Sequence, residues 1–97
     1  MKTHEEIIQT LKEHKEEIRE KYSVKEIGLF GSFARGEQKK RSDVDILVEY
    51  NELPGLLKFI ELERYLQKLI RKKVDLVEKE GIRKELRSII LSEVIYI

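Results

Sequence analysis

Asp43 and Asp45 stand two residues apart within Asp43-Val44-Asp45-Ile46-Leu47-Val48-Glu49-Tyr50, a run that reads as a β-strand. On a strand, residues at that spacing leave the same face with their Cα atoms ~6.5 to 7 Å apart, while Val44, Ile46 and Val48 take the other face. The next residue on the acids' own face is Leu47, so the carboxylates belong where the sheet opens to solvent and the core begins behind them. Asp75 repeats the arrangement in Lys73-Val74-Asp75-Leu76-Val77-Glu78, with Val77 next on its face. If these strands are neighbours, the carboxylates repel one another and their pKa values rise unless cations neutralise them. Magnesium suits that need. It prefers oxygen ligands and keeps positions open for water and substrate phosphates, and paired metals are typical of phosphoryl chemistry. Singly, each acid has an ordinary alternative: Asp43 capping a turn after Ser42, Asp45 solvated on a one-sided sheet, Asp75 paired with Lys73 or Arg71. The three together point to chemistry.

A second element precedes them. Gly31-Ser32 follows the apolar end of Val24-Lys25-Glu26-Ile27-Gly28-Leu29-Phe30. A glycine there lets backbone approach a ligand, and the amides of the next turn, with a small hydroxyl, can cradle a phosphate. Glu37-Gln38 occupy the places where a Walker loop needs Lys and Ser or Thr, and Gly28, Gly31 and Gly36 lack the dinucleotide spacing. Arg35 could support the loop or touch phosphate. The runs Lys39-Lys40-Arg41 and Arg71-Lys72-Lys73 bracket the site and read first as solvated surface. His4 and His14, ten residues apart on one predicted helix, do not form a metal pair, and the four Tyr read as packing residues.

Thr3 followed by Glu6 is a capping-box pattern, and Ile7, Leu11, Ile18 and Tyr22 line one face of a helix over residues 4–21 that Ser23 ends. After the first strand, the segment to Ser42 is a loop with room for one helical turn from Ser32 to Arg35. Pro54-Gly55 introduce a helix ending near Arg71, with Leu56, Phe59, Ile60, Leu66, Leu69 and Ile70 as its apolar stripe. Another helix covers residues 82–92, with Ile82, Leu86, Ile89 and Ile90 on one face. The tail Val94-Ile95-Tyr96-Ile97 is a fourth strand, a docked helix end or a dimer contact. This order describes an α/β (α+β) fold, a small mixed β-sheet backed by helices.

Ninety-seven residues make one domain, 1–97. Charged residues form 40% of the chain, but 20 Lys and Arg face 19 Asp and Glu, and a net charge of +1 excludes a polybasic binder of nucleic acid or membrane surfaces. The longest stretch without a charge, Ile27 to Ala34, is eight residues, against the ~20 apolar residues that cross a bilayer. The opening MKTHEEIIQT has charges where an export signal has its apolar segment, so the expected location is cytoplasmic. Without Cys there is no disulfide, thiol nucleophile or thiolate metal site.

Gly31-Ser32, then Phe33-Ala34-Arg35-Gly36-Glu37, Ser42 before Asp43-Val44-Asp45, and a later Val74-Asp75-Leu76-Val77 closely resemble the minimal nucleotidyltransferases of the DNA polymerase β superfamily. Within these the chain is most similar to the MntA-type antitoxins paired with HEPN toxins. The resemblance implies a polymerase β-like nucleotidyltransferase core in which Gly31 and Ser32 bind the triphosphate of ATP. Asp43 and Asp45 hold two magnesium ions; Asp75 completes the metal site and helps deprotonate the attacking hydroxyl. Attack on the α-phosphate releases pyrophosphate, and family members of this kind AMPylate a tyrosine of the partner toxin and silence its ribonuclease activity. The implied partners are therefore ATP and a HEPN-type toxin in a heteromeric complex, the toxin supplying most of the acceptor surface. Two alternatives stand beside this: an antitoxin that neutralises by binding alone, and nucleotidyl transfer to a small molecule or RNA end.

Overall fold

The first helix is capped as the Thr3–Glu6 spacing predicts: the Glu6 amide donates to Thr3 Oγ1 at 3.2 Å and the Thr3 amide to Glu6 Oε1 at 3.1 Å. In the computed structural model, which describes residues 3–97, the expected helix over 4–21 is two helices, α1 (His4–Glu13) and α2 (Lys15–Tyr22). The break is at His14. Its ring contacts the Thr10 carbonyl at 2.9 Å, its backbone amide turns to Leu11 O at 3.2 Å, and the ladder resumes with Ile18 N on His14 O. Ser23, left-handed at φ 53°, ends α2 where the sequence places the stop.

The remaining elements are β1 (Val24–Phe30), α3 (Gly31–Arg35), β2 (Val44–Tyr50), α4 (Leu56–Ile70), β3 (Val74–Glu78), a 3-10 turn (Lys79–Gly81), α5 (Lys84–Glu93) and β4 (Ile95–Tyr96). The tail is thus a strand, paired antiparallel with β1 through Gly28↔Tyr96 and Leu29↔Ile95. The sheet order is β3-β2-β1-β4: β1 and β2 are antiparallel, whereas β2 and β3 run parallel, joined by α4 as a crossover. This is the mixed sheet backed by helices that the element order predicts.

Alternation along the strands sorts the core into two layers. Val24, Ile27, Leu29, Val44, Ile46, Val48, Val74 and Leu76 pack with α1, α2, α4 and Phe33. Phe30, Leu47 and Ile82 pack on the other face with Val77 of β3 and with Ile90, Leu91 and Val94, which α5 and its end supply. The stripe of α4 holds in part: Leu66 and Ile70 are buried and Phe59 packs on the core as expected, Leu62, outside the expected stripe, is buried beside them, and Leu56 in the first turn is 74% exposed. On α5, Ile90 and Leu91 face the sheet, and Leu86 and Ile89, expected on the packed face, are exposed. A 3.6-residue period marks a stripe but not where the sheet beneath it ends.

Candidate active site

The parallel register of β2 and β3 sets Asp45 directly opposite Asp75, on strands that in such ladders lie ~4.8 Å apart. Asp43 lies one residue before β2, exposed and outside the strand in which the sequence places it. That segment is nevertheless held against the start of β3, because the Val44 amide donates to Lys73 O at 2.9 Å. Among the described residues none of the three acids makes an ion pair, so Asp75 is not the partner of Lys73 or Arg71.

On the other side of β2, Phe30 pairs with Asp45, and the chain passes straight from β1 into Gly31. Gly31 has φ 74°, and a Cβ there would lie 2.1 Å from Asp45 Oδ2. Glycine is therefore required twice, by the left-handed backbone and by the carboxylate above it. Fully buried Phe33 anchors α3, and Gly36 at φ 71° ends it, with Glu37 N on Ser32 O at 2.9 Å. Burial of a Phe contributes about 1.5–3 kcal/mol, so this turn has its own hydrophobic anchor. The Ser32 side chain is half-buried beside the turn, and its hydroxyl makes no hydrogen bond among the described residues.

The electrostatics follow from these positions. Partial burial, then the neighbouring Asp75 and Asp43 charges, push the Asp45 carboxyl up to about 6, with Glu93 adding to the rise and Arg35 opposing it. Among the described residues no three His, Cys, Asp or Glu side chains are gathered closely enough to hold a metal ion by themselves. The acids form an electrostatic cluster rather than a closed coordination shell. That donor set fits magnesium, which is commonly held by one or two carboxylates together with substrate phosphates. Asp45 and Asp75 are two such oxygen donors in register, and cations would relieve the repulsion that raises Asp45.

One further acid is present that spacing does not reveal. Glu93, the last residue of α5, accepts a hydrogen bond from the Gly31 amide at 3.1 Å and an ion pair from Arg35 Nη1 at 3.0 Å. Its only sequence signal is that of an acid between Leu91 and Val94, which pack on the core. Arg35 also reaches Glu37 at 2.6 Å. Of the basic runs, Lys72 donates to Lys40 O at 3.3 Å and lies 5.6 Å from the Phe33 ring, tying the loop before β2 to the edge of β3. Tyr22 and Tyr65 pack against one another at 5.6 Å, consistent with their reading as packing residues.

The nucleotidyltransferase domain family matches residues 11–97. Over its whole length the chain is 53% identical to the protein adenylyltransferase MntA of Thermococcus cleftensis, covering 98% of that protein. A solved structure described as a minimal nucleotidyltransferase aligns with a TM-score of 0.81 at 31% identity, over 97% of this chain and 95% of its own. A crystal structure of a toxin–antitoxin with AMP-PNP aligns with a TM-score of 0.70 at 25% identity, over 96% of this chain and 70% of that one.

Proposed function

The chain belongs to the nucleotidyltransferase domain family and has the fold of a minimal nucleotidyltransferase; from that premise we propose that it is a magnesium-dependent protein adenylyltransferase. Its substrate is ATP, its acceptor is a tyrosine of a HEPN-type toxin, and its biological role is that of the cognate antitoxin. The carrying observation is the register that sets Asp45 opposite Asp75 beside the Gly31 turn. The adenylyltransferase name of the Thermococcus relative supports the reaction class. The toxin–antitoxin structure with AMP-PNP supports both a toxin partner and a triphosphate ligand.

In this reading Asp43, Asp45 and Asp75 hold the magnesium ions, which when bound neutralise phosphate charge and stabilise the entering and leaving oxygens. Gly31, lacking a side chain, lets the triphosphate approach the backbone, and the Ser32 hydroxyl donates to it. The tyrosyl oxygen bonds to the α-phosphorus as the bond to the bridging oxygen of the β-phosphate breaks. Pyrophosphate leaves with that electron pair, and the tyrosyl proton passes to Asp75. Acting on ATP suits a cytoplasmic protein, and among the described residues no helix is long and apolar enough to cross a membrane.

The test is to incubate the chain with its HEPN-type partner, magnesium and ATP, then measure the intact masses of both proteins. The expected result is AMP added to the partner, absent with Asp43→Asn or Asp45→Asn and with the acceptor tyrosine changed to Phe. A stable complex without added mass would leave neutralisation by binding, and transfer at the wild-type rate by both Asn variants would remove the site.

A further inference from the structure

The Gly31 amide and the Arg35 guanidinium already hold an anion, the carboxylate of Glu93, 62 residues further along the chain in the first case and 58 in the second. Both Glu93 oxygens face Arg35 Nη1, at 3.2 and 3.0 Å, and Oε1 also accepts from Gly31. A carboxylate and a phosphate are recognised by the same groups, an amide in a glycine turn and a guanidinium fork. Glu93 also stands in the last turn of α5, where the helix dipole disfavours an acid and where the helix has no basic residue. Local helix energetics therefore do not favour Glu93; its contacts with Gly31 and Arg35 do. The charged groups around it are Arg35, which attracts it, and Asp45 and Glu37, which share its sign. The backbone turns extended at Val94, φ −65° and ψ 131°, so the carboxylate hangs from a helix end and can turn away while α5 stays wound.

We infer that Glu93 is a stand-in anion at the nucleotide site, a positioning residue that occupies Gly31 and Arg35 in the free protein and yields them to the triphosphate. The inference rests on the proposed reading of Gly31-Ser32 as the triphosphate turn. Two effects follow. With Glu93 in place, the loop and α3 are held ready against the end of α5 before any nucleotide arrives. Nucleotide affinity is also set by competition, because a triphosphate must replace a tethered carboxylate of its own sign.

The test compares AMP-PNP with magnesium, and adenosine as a ligand without phosphates, binding to the wild type, Glu93→Gln and Glu93→Ala by calorimetry. Both variants should bind AMP-PNP more tightly, by roughly five-fold or more, the lower end of ordinary coupling between sites. Adenosine affinity should not change. The KM for ATP in transfer to the partner should fall by the same factor as the AMP-PNP dissociation constant. Unchanged or weaker AMP-PNP binding by folded variants would overturn the inference while leaving the nucleotide site intact. Failure of the wild type itself to bind AMP-PNP would overturn the nucleotide reading, and this inference with it. Should the variants melt before they can be titrated, the wild type decides alone: the Gly31 amide and Arg35 Nη1 resonances, which report the two groups that hold Glu93, must both shift when AMP-PNP binds, and resonances that stay in place would overturn the exchange.

Discussion

A side chain at position 31 would have to share its space with Asp45. Gly31→Ala combines a left-handed backbone with a Cβ 2.1 Å from a carboxylate oxygen, a strain of roughly 1–3 kcal/mol by urea unfolding, and it should also lose nucleotidyl transfer. Gly36→Ala is the control: its φ is 71° but its Cβ would meet nothing within 4 Å, so only the backbone term of ~1–2 kcal/mol remains. Asp45 gives a pH signature. Its carboxyl titrates near 6 in the folded chain against ~3.9 when unfolded, so the folded state binds the proton more tightly. That contribution favours the fold at low pH and is lost as the pH rises through about 6. In metal-free buffer, Asp45→Asn should therefore melt above the wild type at about pH 7.5 and lose that advantage near pH 4. Added magnesium should narrow the gap at the higher pH. These residues are legible in the sequence because each lies a fixed number of positions from the next, from Gly31 to Asp45. Glu93 is not, since a contact across 62 residues has no spacing to read.

At the level of elements, α4 separates what periodicity can tell from what it cannot. Leu66 is fully buried against the sheet, and Leu66→Ala should cost roughly 2–5 kcal/mol by chemical denaturation. Leu56, 74% exposed, should tolerate Ala within about 0.5 kcal/mol. Both occupy apolar positions of the same helix, and only the extent of the sheet beneath distinguishes them. The same ignorance of the opposing surface places Leu86 and Ile89 of α5 on the expected packed face, although they are exposed. The break at His14 escapes pattern reading for another reason: it comes from a ring turning to the Thr10 carbonyl, with neither Gly nor Pro to announce it. The strands fare better, because alternation of Val44, Ile46 and Val48 against Asp45 and Leu47 records both faces at once. Their pairing order is not written there. That β4 lies on β1, and not at the β3 edge, emerges only from the fold.

For the whole molecule, charge balance has a direct consequence. With a net charge of +1, there is no field to condense on a phosphate backbone, so duplex RNA or DNA should bind no more tightly than ~10⁻⁴ M at physiological salt. Fluorescence anisotropy with a labelled duplex checks this, and tight, salt-sensitive binding would contradict the charge argument. Ligand linkage is the positive counterpart. A nucleotide with magnesium that binds only the folded chain must raise its melting temperature with concentration, and chelation should reverse the rise. The overall fold is legible to the extent that the two layers follow from residue types; the crossover that brings Asp75 beside Asp45 adds what a linear pattern lacks.

The bond from the Gly31 amide to Glu93 also dates the site in time. β1 and β2 are antiparallel neighbours in the chain and bury Leu29 and Ile46 with few residues between them. By contrast, Asp45 waits for Asp75 across a parallel crossover, and Gly31 waits for the end of α5. Contacts between distant segments carry the larger loop-closure entropy and form late. A refolding chain should thus protect the amides of Gly28 and Leu47, which face one another across β1 and β2, from hydrogen exchange before that of Gly31, passing through a stage in which its core is built and its chemistry is not.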